Sequence, residues 1–161
     1  NIFYSGTFFG EALSLAASIA TIKKLERENV LSRIKGFGNE LMDAVHIARD
    51  SHHMGSVVTF TGHPSLIRIY FKEVDYLDRA APIANSNQLR TMFIQEMARN
   101  GILVIASHNL CYAHTFGHYA YNRIVSAYEK TFAAMVETIE NDDIEKRIGS
   151  VIEAQPVRTM A

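Results

Sequence analysis

SVVTFTGHPSLIRIYFK, residues 56–72, is the stretch on which the fold turns. Two runs rich in Val, Ile, Thr and aromatic residues, Ser56 to Thr61 and Leu66 to Lys72, flank the cluster Gly62-His63-Pro64-Ser65. That order predicts two antiparallel strands joined by a turn. In the second run Ile67, Ile69 and Phe71 alternate with Arg68, Tyr70 and Lys72, so one face is expected to be packed and the other wetter.

Outward from the hairpin the period changes to that of helices. On the N-terminal side Val30, Ile34, Phe37, Leu41, Val45 and Ala48 step by three and four residues, which predicts an amphipathic helix. Gly36 and Gly38 each weaken it by about 1 kcal/mol relative to Ala. Before it, Gly10 to about Glu26 is rich in Ala, Leu and Ile around nearly the whole helical circumference, and is expected to be a buried helix. Such a helix is more apolar than a two-layer domain of this size needs, unless it docks onto a surface outside this chain.

On the C-terminal side Leu89, Phe93 and Met97 predict a helix that ends at Asn100-Gly101. The short apolar run Ile102 to Ala106 suits a central strand beside the hairpin. After a loop from Ser107 to Ala120, the residues Ile124, Tyr128, Phe132, Met135 and Ile139 predict a long amphipathic helix. Asp142 can cap a last short helix through Ile148, and Gln155-Pro156 opens a tail. The expected fold is α/β of the α+β type: helices packed on a small, mainly antiparallel sheet.

Composition narrows the function. The chain has 161 residues, 48% hydrophobic and 20% charged, with a formal net charge of −1. That balance fits a globular domain and gives no basic footprint for nucleic acid. Cys111 stands alone, so neither an internal disulfide nor a CxxC pair can form, and a cytoplasmic setting is expected. The longest apolar stretch, Leu13 to Ile22, is interrupted by Ser14, Ser18 and Thr21 and is too short for a membrane span. Asn1 in place of Met suggests a chain that begins within a longer protein.

Chemistry concentrates in a few places. In Tyr4-Ser5-Gly6-Thr7-Phe8-Phe9-Gly10-Glu11 two glycines and two hydroxyls precede a helix start. Unpaired N–H groups and the helix dipole suit an anion there, and a plain helix cap is the competing reading. Arg68 can clamp a carboxylate with its guanidinium fork, or pair with Glu73 or Asp75 on the sheet surface. His114 and His118 have the spacing of a helical zinc pair, but Thr115 and Gly117 between them argue for a loop and against a native metal site. His52-His53 reads as a turn, and Cys111 as a plain free thiol.

Ser5-Gly6-Thr7-Phe8, followed by Ala12-Leu13-Ser14-Leu15-Ala16-Ala17, resembles the Gly-Thr-aromatic motif and small-apolar helix of class III aminotransferases. Gly62-His63-Pro64-Ser65, Gly101 to Ser107 and Ala113-His114-Thr115 are similar, in the same order, to landmarks of the glutamate-1-semialdehyde aminomutase branch. The resemblance implies the C-terminal part of a fold type I enzyme that uses pyridoxal 5'-phosphate (PLP). It further implies that Ser5, Gly6 and Thr7 bind the cofactor phosphate across a homodimer interface.

The same resemblance implies residues 1–28 as phosphate loop and interface helix and 29–161 as the small C-terminal domain; Arg68, read from its guanidinium chemistry, is the candidate contact to a small amino acid, semialdehyde or keto substrate. The Schiff-base lysine would belong to a PLP-binding domain upstream of Asn1, since Lys23 and Lys24 follow the Gly-Thr motif within a helix. The chain alone would then have no catalytic residue and no activity. Glu11-Ala12 departs from the Asn-Pro of many members, and Phe116-Gly117-His118-Tyr119 replaces the usual acidic pair. A stand-alone α/β binding domain, or a small hydrolase or metal enzyme built on Ser107 to His118, remain the alternatives.

Overall fold

The computed structural model describes residues 11–64, 66–71, 86–104, 110–111 and 118–149. Helix α1 spans Ala12–Arg27 and α2 spans Val30–Ser51. A 3-10 turn at Met54–Ser56 leads into strand β1, Thr59–His63, and strand β2, Leu66–Tyr70. Helix α3 is Asn87–Arg99, strand β3 is Leu110–Cys111, α4 is His118–Glu140 and α5 is Ile144–Ile148.

The hairpin forms as its alternation predicts, with β1 and β2 antiparallel and Phe60 opposite Ile69. Phe60, Ile67 and Phe71 are buried, while Arg68 is exposed. The first strand starts three residues later than expected, because Met54 to Ser56 make a helical turn instead. Gly62 has φ 102, and a Cβ there would lie 2.6 Å from the carbonyl oxygen of Leu66. Only glycine accepts both the left-handed backbone and that close approach.

The third strand is not the one the sequence suggests. Ile102 to Val104 form no strand, and Leu110–Cys111 pairs with the free edge of β2. The reason lies at the end of α3. Gly101, at φ 81, donates its N–H to Ala98, and Ile102 donates to Met97 at 2.9 Å. This double closure satisfies the last carbonyls of the helix and takes the Ile102 N–H from any sheet. Ile102 and Val104 instead pack sideways on the core, and Leu103 is left exposed. Ile105 and Ala106 lie outside the described residues.

The core lies between the sheet and helices α2, α3 and α4. Leu41, Val45 and Ala48 from α2 meet Met92, Phe93 and Met97 from α3 and Tyr128, Phe132 and Met135 from α4. Phe71, Phe93, Tyr128 and Phe132 form a chain of tilted rings with centroids 5.3 to 5.8 Å apart. Each such side chain stabilises the fold by about 1.5–3 kcal/mol through removal from water. The two glycines of α2 do not break it, and Gly38 is itself buried on the packed stripe.

Helix α5 is tied on by polar contacts. The carboxylate of Glu96, 4% exposed, accepts a hydrogen bond from Arg147 Nε at 2.8 Å and another from Arg99 Nη1. Gln95 Nε2 donates to the carbonyl of Ile148 at 3.1 Å. The cap of α5 is Asp143 rather than Asp142, which has φ 55 and so serves the turn before the helix.

Helix α1 departs most from expectation. No residue of it is buried, and Leu13, Leu15, Ile19 and Ile22 are 78%, 55%, 54% and 54% exposed. Its principal contact is with α2, which cannot cover an apolar surface that runs around the helix. Leu15, Ile19 and Ile22 share one stripe by their spacing, and Leu13 lies on the opposite side.

Candidate functional site

Ser5, Gly6 and Thr7 lie outside the described residues, and the described structure begins just after them. There the carboxylate of Glu11 accepts hydrogen bonds from the N–H groups of Leu13 at 3.0 Å and Ser14 at 2.6 Å. Hydrogen bonds from the Ser14 side chain and backbone hold the Glu11 carboxyl below its ordinary value. The positive end of the α1 dipole is therefore occupied by an anion of the chain itself. Glu11 thus supplies the side-chain cap of α1.

Arg68 stands on the wet face of β2, opposite Thr61 of β1. Its Nη1 donates to the Tyr70 hydroxyl at 3.3 Å, and its guanidinium carbon is 6.0 Å from the Tyr70 ring centroid. Thr59 and Thr61 share that face with Tyr70 and Arg68. The arrangement leaves guanidinium N–H groups pointing away from the core beside neutral hydroxyls, a setting able to bind a carboxylate. Glu73 and Asp75, the alternative partners, lie outside the described residues.

The histidine-rich loop is only partly in view. His118 begins α4, whereas His108 and His114 lie outside the described residues. Among the described residues no group of three or more His, Cys, Asp or Glu side chains could hold a metal. His53 occupies the left-handed turn after α2, in keeping with a turn at His52-His53. Lys23 and Lys24 are exposed on α1. No described helix is long and apolar enough to cross a membrane.

Three features escaped the sequence reading. His46 stacks on Phe60 with centroids 5.4 Å apart, and burial, then the charge of Arg49, lowers its pKa. Arg90 is buried on α3, and burial draws its pKa down. For Glu96 burial pushes upward, but the hydrogen bond and charge of Arg147, joined by Arg99, outweigh it and leave the carboxyl below its usual value. Glu96 and Arg147 are 51 residues apart, so no local pattern could have paired them.

No protein-family model matches the chain. Glutamate-1-semialdehyde 2,1-aminomutase of Opitutus terrae is 30% identical over 106 residues, 66% of this chain and 24% of its own length. 3-Aminobutyryl-CoA aminotransferase of Cloacimonas acidaminovorans is 30% identical over 122 residues, 74% of this chain and 27% of its own length. The chain is a relative of the aminotransferases and aminomutases. Solved structures agree on the fold. The PLP internal aldimine form of the FumI protein of Sphingopyxis sp. MTA144 superposes with a TM-score of 0.65 at 18% identity, over 87% of this chain and 31% of that one. An omega-transaminase from Sphaerobacter thermophilus gives 0.64 at 16% identity, over 83% and 30%. The chain thus shares the fold of part of a fold type I transaminase over more than four-fifths of its length and spans about a quarter of the length of the curated relatives it matches.

Proposed function

We propose that these residues are the interface arm and small domain of a longer, cytoplasmic PLP-dependent aminotransferase or aminomutase acting on a small amino acid, semialdehyde or keto compound. Residues 1–28 form the arm and 29–161 the domain. The observation that carries the reading is the joint match: two relatives of this chemistry at 30% identity, and a transaminase fold over more than four-fifths of the chain. Bound PLP supplies the electron sink for amino-group transfer.

The part played by this chain is to bind and orient. The hydroxyls of Ser5 and Thr7 and the N–H of Gly6, where no Cβ obstructs approach, donate to the cofactor phosphate of the opposite subunit of a homodimer. Glu11 fills the helix N-terminus behind them, so those loop donors carry the phosphate without help from the first turn of α1. Arg68 receives the substrate carboxylate on the wet face of β2. The lysine that anchors the cofactor comes from outside these 161 residues, which are inactive alone. The exposed stripe of Leu15, Ile19 and Ile22 supports an α1 that is covered by the rest of the dimer.

Thr7→Val in the full-length protein tests the reading, because it keeps shape and removes one charge-assisted hydrogen bond. PLP binding should weaken about tenfold to a hundredfold, equivalent to about 1.5–3 kcal/mol. Unchanged PLP affinity would leave Ser5 to Thr7 as helix-entrance residues and overturn the assignment.

A further inference from the structure

A second candidate site lies where the end of α3 meets α4. The end of α3 abuts the first half of α4 and leaves an open recess of about 280 Å³ lined by Ala127 and by Asn100, Tyr119, Asn122, Arg123, Ser126 and Lys130. Its size is near the lower edge of small-molecule sites, roughly 300–1,000 Å³. The α4 residues recur at three- and four-residue steps, so they form one stripe.

The recess is cationic by local construction. In a chain of net charge −1, it holds two cations and no carboxylate. The positions three and four residues from Arg123 are Tyr119, Ala120, Ser126 and Ala127, and those around Lys130 are Ser126, Ala127, Ala133 and Ala134. Neither cation therefore has an acidic neighbour along the helix, and among the described residues neither forms an ion pair.

Arg123 lies beside Tyr119 and Gly101. Its guanidinium carbon lies 5.8 Å from the Tyr119 ring centroid, and a Cβ on Gly101 would come within 2.7 Å of its Nη2. The helix stop that ends α3 thus opens the space the guanidinium occupies. Asn100 Nδ2 is already spent on the carbonyl of Glu96 at 2.9 Å. The available donors are the Arg123 fork, the Lys130 ammonium, the Asn122 amide and the Ser126 hydroxyl.

We propose that this recess binds the phosphate group of a small phosphorylated molecule. Two cations and two neutral donors suit an oxyanion with several oxygens at different angles better than a single planar carboxylate. The Tyr119 ring, 75% exposed, gives an organic portion a flat wall to lie against. The proposal does not depend on the Gly-Thr loop or on the reaction.

The test is calorimetric titration of the full-length protein, saturated with PLP so that any cofactor-phosphate site is filled, with inorganic phosphate, sulfate and succinate in parallel. Phosphate should bind saturably in the millimolar range and more tightly than succinate. Arg123→Gln should weaken it about tenfold and Lys130→Gln about threefold, as expected for loss of a bidentate and a point-charge contact respectively. Glu129→Gln should leave it unchanged, and the melting temperature of each exposed-site variant should match wild type. No saturable binding, equal affinity in Arg123→Gln, or succinate binding as tightly as phosphate would overturn the proposal.

Discussion

Replacing Arg147 by Met removes one of the two partners of a nearly buried carboxylate. The Glu96 side chain is 5% exposed, whereas Arg147 is 36% and Arg99 52% exposed. Losing one partner of a buried pair costs about 3–5 kcal/mol, and a charge-assisted hydrogen bond contributes about 1.5–3 kcal/mol. Because Arg147 is more than a third exposed and screened by solvent, about 2 kcal/mol is the appropriate size at neutral pH. That corresponds to a fall in melting temperature of about 4–8 °C for a chain of this length. Glu96→Gln should cost less, about 1 kcal/mol, because both arginines can then turn to water.

Acid supplies the second half of the test. The folded-state pKa of Glu96 is depressed, so its stabilisation is present above the unfolded value of about 4.3 and is lost as pH falls through the folded value. In Arg147→Met the carboxyl keeps the burial and loses its main counter-charge, so its pKa rises toward or above the unfolded value. The gap in unfolding free energy between wild type and Arg147→Met should therefore be widest at pH 7 and close below about pH 4. Urea unfolding at both pH values measures it. A gap independent of pH, or a Glu96→Gln variant less stable than Arg147→Met, would refute the reasoning.

Gly62→Ala should destabilise the protein by about 1–3 kcal/mol, because it combines a left-handed φ with a contact to backbone; an unchanged urea midpoint would contradict the packing of the hairpin turn. On the proposed homodimer, Leu15→Ser with Ile19→Ser should weaken self-association of the full-length protein in sedimentation velocity while changing the unfolding free energy of the 161-residue chain by less than about 1 kcal/mol, since both positions are more than half exposed and exposed sites tolerate substitution. Association unaffected by the pair would remove α1 from the interface.

Much of this protein is written in local periodicity. The stripe from Val30 to Ala48 becomes the packed face of α2, the alternation of residues 66 to 71 becomes the two faces of β2, and Asn100-Gly101 stops α3 where its residue types require. These are determined by sequence alone because helix and strand periods, and the left-handed backbone that glycine favours, operate over a few neighbouring residues. The kinship with aminotransferases was likewise legible in short motifs.

What only the tertiary structure decided involves residues far apart in the chain or a competition for one group. Ile102 to Val104 have the composition of a strand, yet closure of α3 claims the Ile102 N–H and Leu110–Cys111 takes the sheet edge. Glu11 reads as a departure from a motif until its carboxylate is seen capping the first turn of α1. Glu96 and Arg147 meet across 51 residues, and Arg123 gains its seat from a glycine 22 positions away. The apolar circumference of α1 predicted burial, but burial requires a partner surface, and among the described residues none covers Leu15, Ile19 and Ile22. Hydrophobic pattern records that a surface must leave water; which surface it meets is settled by three-dimensional packing.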